Sequence, residues 1–300
     1  MKTRHLISIG DFDRNEIDKL LDHARQLDRE KYDKNALYGK ILATLFFEPS
    51  TRTRMSFESA MARLGGTSLS VGSVEACSIA KGETLADTIR VVSGYADAIV
   101  IRHPKEGAAR LAAEFSTVPV INAGDGAGQH PSQTLLDLYT IRQSMPIDKI
   151  DVALTGDLRY GRTAHSLASA LSLYDVRLHT ISPKGLELPA NLAAELSDKG
   201  MEIVEHDDIN EVISDVDVLY VTRIQRERFP DSASYFNVSS SYRITPELLC
   251  SARNHLIILH PLPRVDEIDP RVDELQYARY FEQSRNGVPV RMAMLMRVMQ

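Results

Sequence analysis

The chain has 300 residues, with 35 lysines and arginines against 41 aspartates and glutamates, and a formal net charge of −6 at pH 7. Its length exceeds the usual size of one domain, so we expect two lobes, each with its own core. The acidic balance excludes a generally basic nucleic-acid binder. Cys77 and Cys250 are the only cysteines, too few for a disulfide framework or a thiolate zinc site.

Strand-like and helix-like segments alternate through the first part of the chain. Helices are predicted over 17–27, from Ser50, over 84–95, 107–115 and 132–142, and strands over 41–47, 98–101 and 118–122. The glycine-rich loop 122–131 ends a strand and opens a helix. This βαβ series predicts a parallel sheet.

The same alternation restarts after Pro146. Strands are predicted over 151–155, 176–181, 201–204, 216–221 and 256–260, and helices over 163–174, 189–198, 207–213 and 288–299. We therefore predict an α/β fold of two doubly wound parallel-sheet lobes joined by hinge helices near 131–147. The first lobe would be residues 1–131 with 284–300, and the second residues 147–283.

The N-terminal residues M-K-T-R-H-L-I-S-I-G lack a long apolar stretch. No segment approaches the ~18 apolar residues of a membrane span. We expect a cytoplasmic protein without a membrane partner.

The segment 47–61, F-E-P-S-T-R-T-R-M-S-F-E-S-A-M, places hydroxyls and arginines where a strand is followed by a helix. Ser50 is the expected N-cap, so the next N–H groups would point outward at the positive end of the helix dipole. Arg52 adds a bidentate guanidinium, and the Ser50 and Thr53 hydroxyls add donors. An ordinary helix start needs one capping side chain, so this density of donors predicts an oxyanion site. The alternative is a capped helix with solvent-facing arginines.

Further polar side chains stand where other predicted strands end. They are Arg102, His103, His130, Gln133 and His260, with Arg162, Arg223 and Gln225 in the second lobe. In open α/β sheets, ligands bind at the carboxyl ends of the strands. Each residue alone could be structural or part of a surface salt bridge, but their joint occurrence favours a site.

These motifs resemble the aspartate/ornithine carbamoyltransferase family along nearly the whole chain. The matching segments are F-F-E-P-S-T-R-T-R, K-G-E-T-L-A-D-T, I-R-H-P-K-E-G-A-A-R, N-A-G-D-G-A-G-Q-H-P-S-Q-T-L-L-D, G-D-L-R-Y-G-R-T, V-T-R-I-Q-R-E-R-F and H-P-L-P-R-V-D-E-I. The S-T-R-T-R segment indicates only a carbamoyltransferase. H-P-L-P-R with T-R-I-Q indicates the aspartate branch, because the ornithine branch typically has a cysteine where Pro261 stands.

The resemblance implies transfer of the carbamoyl group of carbamoyl phosphate to the amine of L-aspartate, a reaction of pyrimidine biosynthesis, with no metal or organic cofactor. It assigns carbamoyl phosphate to Ser50, Thr51, Arg52, Thr53, Arg102, His130, Gln133 and the carbonyls of Pro261 and Leu262. It assigns the aspartate carboxylates to Arg162 and to Arg223 with Gln225. Lys81 would reach both substrates from a neighbouring subunit. The catalytic group would be Arg52, Thr53, Lys81, Arg102 and His130, which together stabilise charge as it develops on the reacting oxygens.

The resemblance also implies closure of the two lobes and a shared active site. Glu48 would bridge to Arg162 and Arg228 when substrates are bound. The assembly would be a homotrimer, and whether regulatory chains join it is left open. The family usually has serine or threonine four residues before Lys81, where this chain has Cys77 followed by Ser78. A thiol is a weak donor, so the contact of either residue with phosphate stays open.

Three alternatives remain at the level of sequence. A carbamoyltransferase could use a different amino-acid acceptor. The segment G-D-L-R-Y-G-R-T, residues 156–163, approaches the G-x-x-x-x-G-K-[ST] loop of nucleotide hydrolases, with arginine in place of lysine. A non-catalytic binding or scaffold homologue could also keep the fold.

Overall fold

A computed structural model of the protein describes residues 5–29, 32–71, 82–224 and 242–300. The chain divides into two compact units, Met1–Tyr139 with Arg285–Gln300, and Thr140–Ser284. Each unit contains one parallel sheet with helices beside it, which confirms the predicted α/β fold class. Among the helices of these described ranges, none is both long and apolar enough to cross a membrane.

The first unit is built on a four-stranded parallel sheet in the order β2-β1-β3-β4. Its strands are β1 Ile41–Phe46, β2 Thr67–Ser70, β3 Ala98–His103 and β4 Val120–Asp125, and its helices are α1 Arg14–Asp28, α2 Thr51–Arg63, α3 Leu85–Ser93, α4 Ala108–Phe115 and the first part of α5 Pro131–Ser144. The inner strands are almost wholly buried, as expected for strands covered on both faces. One core cluster packs β1, β3 and β4 against α3 and α4.

The second unit has a five-stranded parallel sheet in the order β7-β6-β5-β8-β9. Its strands are β5 Ile150–Thr155, β6 Val176–Ile181, β7 Glu202–His206, β8 Val218–Val221 and β9 Ile257–Leu259, and its helices are α6 Arg162–Leu171, α7 Ala190–Asp198 and the first turn of α8 Tyr280–Met299. The remainder of α8 belongs to the first unit, so both boundaries between the units fall inside helices, α5 and α8.

One predicted element is wrong in kind, and one observed strand was not predicted. The helix predicted over 207–213 is only a 3-10 turn, Ile209–Glu211, in which Asp208 caps the N–H of Asn210. Seven residues that include Ile209, Val212 and Ile213 give too short and too β-branched a segment to sustain an α-helix. The edge strand β2 was not predicted, because T-S-L-S has no apolar alternation and stays largely exposed.

Candidate active site

Each sheet has a point where the strand order reverses, and the candidate residues lie there. In the first unit the reversal falls between β1 and β3, and in the second between β5 and β8. Segment 48–53 follows β1, and Arg102 is the penultimate residue of β3. Arg162 follows β5, and Arg223 follows β8. Because both connections leave the carboxyl end of a parallel sheet at such a point, a crevice for a ligand forms there.

The start of α2 is a cluster of hydrogen-bond donors in the first unit. Ser50 occupies the N-cap position as predicted, but its hydroxyl makes no capping hydrogen bond. Among the described residues, none accepts from the backbone N–H groups of Thr51, Arg52 or Thr53. The Thr53 side chain is buried, whereas Arg52 reaches outward. Partial burial lowers the pKa of the Arg52 guanidinium from its ordinary value, yet an arginine stays protonated at neutral pH. This end of the helix can bind an oxyanion.

Arg102 lies beside this helix start and is held by an acidic neighbour. Its Nη2 lies 2.6 Å from Oε1 of Glu48, and its Nη1 donates to the carbonyl of Ala123 at 3.3 Å. Phe47 donates its N–H to the Arg102 carbonyl at 2.8 Å, which joins the ends of β1 and β3. The acidic residue expected to bridge to Arg162 and Arg228 is therefore paired with Arg102 in this structure.

The glycine-rich loop after β4 is shaped by Asp125, which sequence reasoning did not single out. Its Oδ1 accepts from Asn122 Nδ2 at 3.0 Å and from the Gln129 N–H at 2.9 Å. Its Oδ2 accepts from the Gly107 N–H at 2.9 Å. These bonds lead the chain into His130, which is buried just before α5. An aspartate between two glycines is a signal for such a turn, since its side chain bonds nearby backbone N–H groups.

Gln133 lies in the first turn of α5. Its amide is held by Asp137, a second residue that sequence reasoning did not single out. Gln133 Nε2 donates to Asp137 Oδ1 at 2.8 Å, and both side chains are buried. The amide oxygen of Gln133 therefore faces away from the carboxylate and can accept from a ligand N–H. The spacing of four residues on a helix places both on one face, so the sequence contained this signal.

The two candidate arginines of the second unit are positioned by the ends of β5 and β8. Thr222 donates both its N–H and its hydroxyl to the Thr155 carbonyl, at 2.8 and 2.9 Å, which ties the two strand ends together. Arg223 follows directly and is half-buried, while Arg162 is the half-buried first residue of α6. Two guanidiniums after neighbouring strands suit a ligand with two carboxylates.

Pro261 and Leu262 follow β9, which neighbours β8 in the same sheet. Both are half-buried, and Leu262 has a φ of +54°, a conformation that is uncommon for a residue other than glycine. The Leu262 N–H donates to His260 Nδ1 at 2.8 Å. The carbonyls that sequence reasoning assigned to a ligand amide thus belong to a loop with a defined conformation.

Several predicted site residues lie outside the described residues. They are Cys77, Ser78, Lys81, Gln225 and Arg228. Their assigned contacts stay predictions.

Comparison with known proteins identifies the family. Residues 4–143 match the model of the carbamoyl-P binding domain of aspartate/ornithine carbamoyltransferase, and residues 148–298 match the model of its Asp/Orn binding domain. The aspartate carbamoyltransferase catalytic subunits of Methanoculleus marisnigri and Methanosphaerula palustris are 73% and 72% identical to this chain, over 99% and 98% of its length and 99% of each relative.

Solved structures agree in fold over the full length. The catalytic subunit of M. jannaschii aspartate transcarbamoylase is 55% identical with a TM-score of 0.93, covering 99% of this chain and 98% of that one. Aspartate transcarbamoylase from Trypanosoma cruzi, in complex with N-(phosphonacetyl)-L-aspartic acid, is 40% identical with a TM-score of 0.93, covering 100% of this chain and 97% of that one. The chain therefore belongs to the aspartate/ornithine carbamoyltransferase family.

Proposed function

We propose that this protein is an aspartate carbamoyltransferase, which transfers the carbamoyl group of carbamoyl phosphate to the amine of L-aspartate and releases phosphate. The observation that carries the proposal is the agreement of two findings. Full-length relatives of 73% and 72% identity are catalytic subunits of this enzyme, and cationic donors stand at the strand-order reversal of both sheets. The Trypanosoma cruzi enzyme, 40% identical, has been crystallised with carbamoyl phosphate.

The family resemblance implies the residue roles, and they suit the chemistry of the two substrates. The phosphate would bind the N–H groups of Thr51, Arg52 and Thr53 with the guanidiniums of Arg52 and Arg102. Thr53, Arg102 and His130 would donate to the carbonyl oxygen as the amine attacks and negative charge develops there. Gln133 and the carbonyls of Pro261 and Leu262 would accept from the carbamoyl NH2 group.

The reaction itself needs no covalent intermediate. The aspartate nitrogen forms a bond to the carbamoyl carbon, the bond from that carbon to the phosphate oxygen breaks, and the departing phosphate takes the proton of the amine. Holding the two substrates together supplies much of the rate, since a positioned pair reacts as one molecule. Arg162 and Arg223, with Gln225, would orient the two carboxylates.

A colorimetric assay for carbamoyl-aspartate tests the proposal. We expect carbamoyl-aspartate and phosphate in equal amounts from carbamoyl phosphate and L-aspartate. Product with L-ornithine but none with L-aspartate would instead identify a different acceptor. Hydrolysis of ATP without carbamoyl phosphate would favour a nucleotide hydrolase, and inactivity with every substrate would favour a non-catalytic homologue.

The loop 156–161 argues against nucleotide hydrolysis. A phosphate-binding loop needs backbone N–H groups that are free to point at the phosphates. Here the N–H groups of Gly156, Leu158 and Tyr160 donate within the protein, to the Ile181 carbonyl, the Leu186 carbonyl and the Asp157 carboxylate, at 3.0 to 3.1 Å.

Arg223→Ala should affect the binding of one substrate and not of the other. We expect the Michaelis constant for aspartate to rise about tenfold or more, while binding of a carbamoyl phosphate analogue stays nearly intact. Arg177→Ala is the matched control, because that arginine pairs with Glu202 at 2.9 Å on neighbouring strands of the same sheet. Equal loss of affinity for both substrates would contradict the assignment of aspartate to Arg223.

We also propose that the enzyme works in the cytoplasm, in pyrimidine biosynthesis, as a homotrimer whose active sites are shared. Lys81 has no acidic residue four positions away in either direction to hold it. A contact into the neighbouring subunit is heterologous and closes naturally in a ring of three. Lys81→Gln and His130→Ala should each be nearly inactive alone and recover activity when mixed after dissociation. Hybrids no more active than their parents, or a monomer by sedimentation, would contradict the shared site.

A further inference from the structure

The loop 260–267 is closed by a buried pair of side chains at the carboxyl end of β9. His260 Nε2 lies 2.6 Å from Glu267 Oε1, and both residues are almost fully buried. Glu267 Oε2 also accepts from the backbone N–H groups of Val265 and Asp266, each at 3.0 Å. The His260 N–H donates to Gln283 Oε1 of α8 at 2.8 Å. Hydrogen bonds of both its ring and its backbone N–H therefore hold the histidine in place.

The hydrogen bonds define the tautomer of His260. The Leu262 N–H donates to Nδ1 at 2.8 Å, so Nδ1 must present a lone pair. The ring proton is then on Nε2 and is donated to Glu267. Burial by itself raises the pKa of the Glu267 carboxyl, but the hydrogen bonds from His260 and the backbone outweigh it and lower that pKa from its ordinary value. A neutral histidine thus donates to an ionised glutamate.

The bond to Leu262 fixes the direction of the carbonyl that precedes it. In a planar trans peptide the C=O and the N–H point in opposite directions. The cis bond among the described residues is the next one, Leu262–Pro263, so the Pro261–Leu262 peptide is trans. While the Leu262 N–H is bound to His260, the Pro261 carbonyl must point away from the histidine. A positive φ at Leu262 persists only where neighbouring contacts hold it, and this bond is one of them.

We propose that His260 is a positioning residue, which aims the Pro261 carbonyl at the carbamoyl NH2 group and so sets the preference of the enzyme for an amide over a group of the same shape. The inference rests on the proposed function. It adds a residue that does not touch the substrate and acts through one backbone N–H. A methyl group in place of NH2 cannot donate to the Pro261 carbonyl. The site can therefore recognise a ligand with that methyl group only by its shape.

Two stable analogues test this on the purified full-length enzyme. Phosphonoacetamide carries the NH2 group, and acetonylphosphonate carries a methyl group in the same place. Calorimetry of the parent should give at least about tenfold tighter binding of the amide, the effect of one or two hydrogen bonds. Since both ligands bind through the same phosphonate, their affinity ratio isolates the contacts to NH2.

Two variants distinguish the roles of the two ring nitrogens of His260. In His260→Gln the amide can still reach Glu267 but offers Leu262 no acceptor at the Nδ1 position. In His260→Asn the side-chain oxygen takes the place of Nδ1 but does not reach Glu267. We expect the affinity ratio to fall toward one in His260→Gln, with the loss confined to phosphonoacetamide, and to be largely retained in His260→Asn.

The control lies at the other end of the same strand. His255 Nε2 lies 2.6 Å from Asp217 Oδ1 just before β9, a similar pair without a bond to the candidate loop. His255→Ala should leave the affinity ratio unchanged. Should His260→Gln fail to fold, His260→Met provides the same test, because its side chain also offers the Leu262 N–H no strong acceptor at the Nδ1 position.

The outcomes separate this inference from the proposed function. An unchanged ratio in a folded His260→Gln or His260→Met protein would overturn the positioning role, even if thermal stability falls. A parent enzyme that makes carbamoyl-aspartate but does not prefer the amide would overturn it while leaving the proposed function in place. A parent that makes no carbamoyl-aspartate would remove both.

Discussion

Neutralising Glu48 should strengthen anion binding in the first unit while it weakens catalysis. Glu48 Oε1 lies 2.6 Å from Arg102 Nη2, and both side chains are largely buried, with 22% and 14% of their surface exposed. A phosphate that binds Arg102 must share this guanidinium with a carboxylate of the same sign as itself. Glu48→Gln keeps a side chain that can still accept from Arg102 and removes only the negative charge.

The magnitude follows from Coulomb's law. Two anions on one guanidinium lie about 6 Å apart, which gives about 1 kcal/mol of repulsion for each phosphate charge at an effective dielectric of ~50. Inorganic phosphate or phosphonoacetamide should then bind at least about fivefold more tightly to Glu48→Gln at low salt, the gain for one phosphate charge. The gain should shrink at ~0.5 M salt, because partly exposed charges are screened. The expected role of Glu48 in closure predicts a lower turnover at the same time.

Calorimetry at two salt concentrations and the carbamoyl-aspartate assay measure the two effects. Glu58→Gln is the control, since it makes the same change in net charge about two turns along α2, where Glu58 lies 3.7 Å from Arg54. That control should leave anion affinity nearly unchanged. Weaker anion binding in Glu48→Gln would show that the carboxylate supports the arginine as an anion donor, and would refute the competition argument.

Three further changes probe the site and its scaffold. Arg52→Ala should lower turnover by ~10² or more in the carbamoyl-aspartate assay, because the guanidinium neutralises the departing phosphate; a change in the Michaelis constant alone would contradict this. Gly156→Ala should lower the free energy of unfolding in urea by about 3 kcal/mol. Its φ is +114° and a Cβ would lie 2.2 Å from the Thr222 carbonyl oxygen, so a loss below ~1 kcal/mol would refute the clash. Hydrogen bonds from the side chain and backbone of Arg271 lower the pKa of Asp269 to about 2. The ionised carboxylate therefore stabilises the fold above its ordinary pKa and loses that effect as pH falls to about 2. The stability difference between parent and Asp269→Asn should shrink over that range in acid unfolding, and a difference independent of pH would exclude the link.

The sequence indicated the fold class because long apolar strands and amphipathic helices leave strong periodic signals. Segment 41–46 is buried along almost its whole length, and its apolar run predicted that. The last helix was harder to delimit. It begins at Tyr280, eight residues before the predicted start at Val288, although Gly287 and Pro289, two residues of low helix propensity, lie within it.

Side-chain packing explains why a glycine lies inside this helix. A Cβ on Gly287 would lie 2.0 Å from Arg291 Nη1, so any larger residue would force the guanidinium one turn further on to move. Arg291 is almost fully buried and lies 5.0 Å from the ring centre of Phe57 in α2. The reason for the glycine is thus a contact between a helix near the end of the chain and one near its start, which no local pattern contains.

In the candidate site, too, features formed by neighbouring residues were predictable from the sequence, whereas contacts that depend on the fold were not. Residue type and order were enough to predict an oxyanion site at Ser50–Thr53, because the donors follow one another along one helix start. The hydrogen bond of His260 to Leu262 could not be read from the order of residues, since it depends on a side-chain rotamer and on a positive φ. The pairing of Glu48 with Arg102 depends in the same way on which strands are neighbours.

Local placement of charge, rather than net charge, must account for the binding of anionic substrates. The chain has a net charge of −6, so its average field repels a phosphate or a dicarboxylate. Each unit nevertheless places arginines at the strand-order reversal of its sheet, and in the first unit a helix start adds backbone donors. Arg102 is paired with Glu48, which satisfies a largely buried cation that would otherwise destabilise the fold. A phosphate that binds the same guanidinium weakens this ion pair, because the two anions repel each other. We therefore predict that phosphate binding weakens the hold of Arg102 on Glu48 and so favours the contacts of Glu48 with Arg162 and Arg228 that the family resemblance implies.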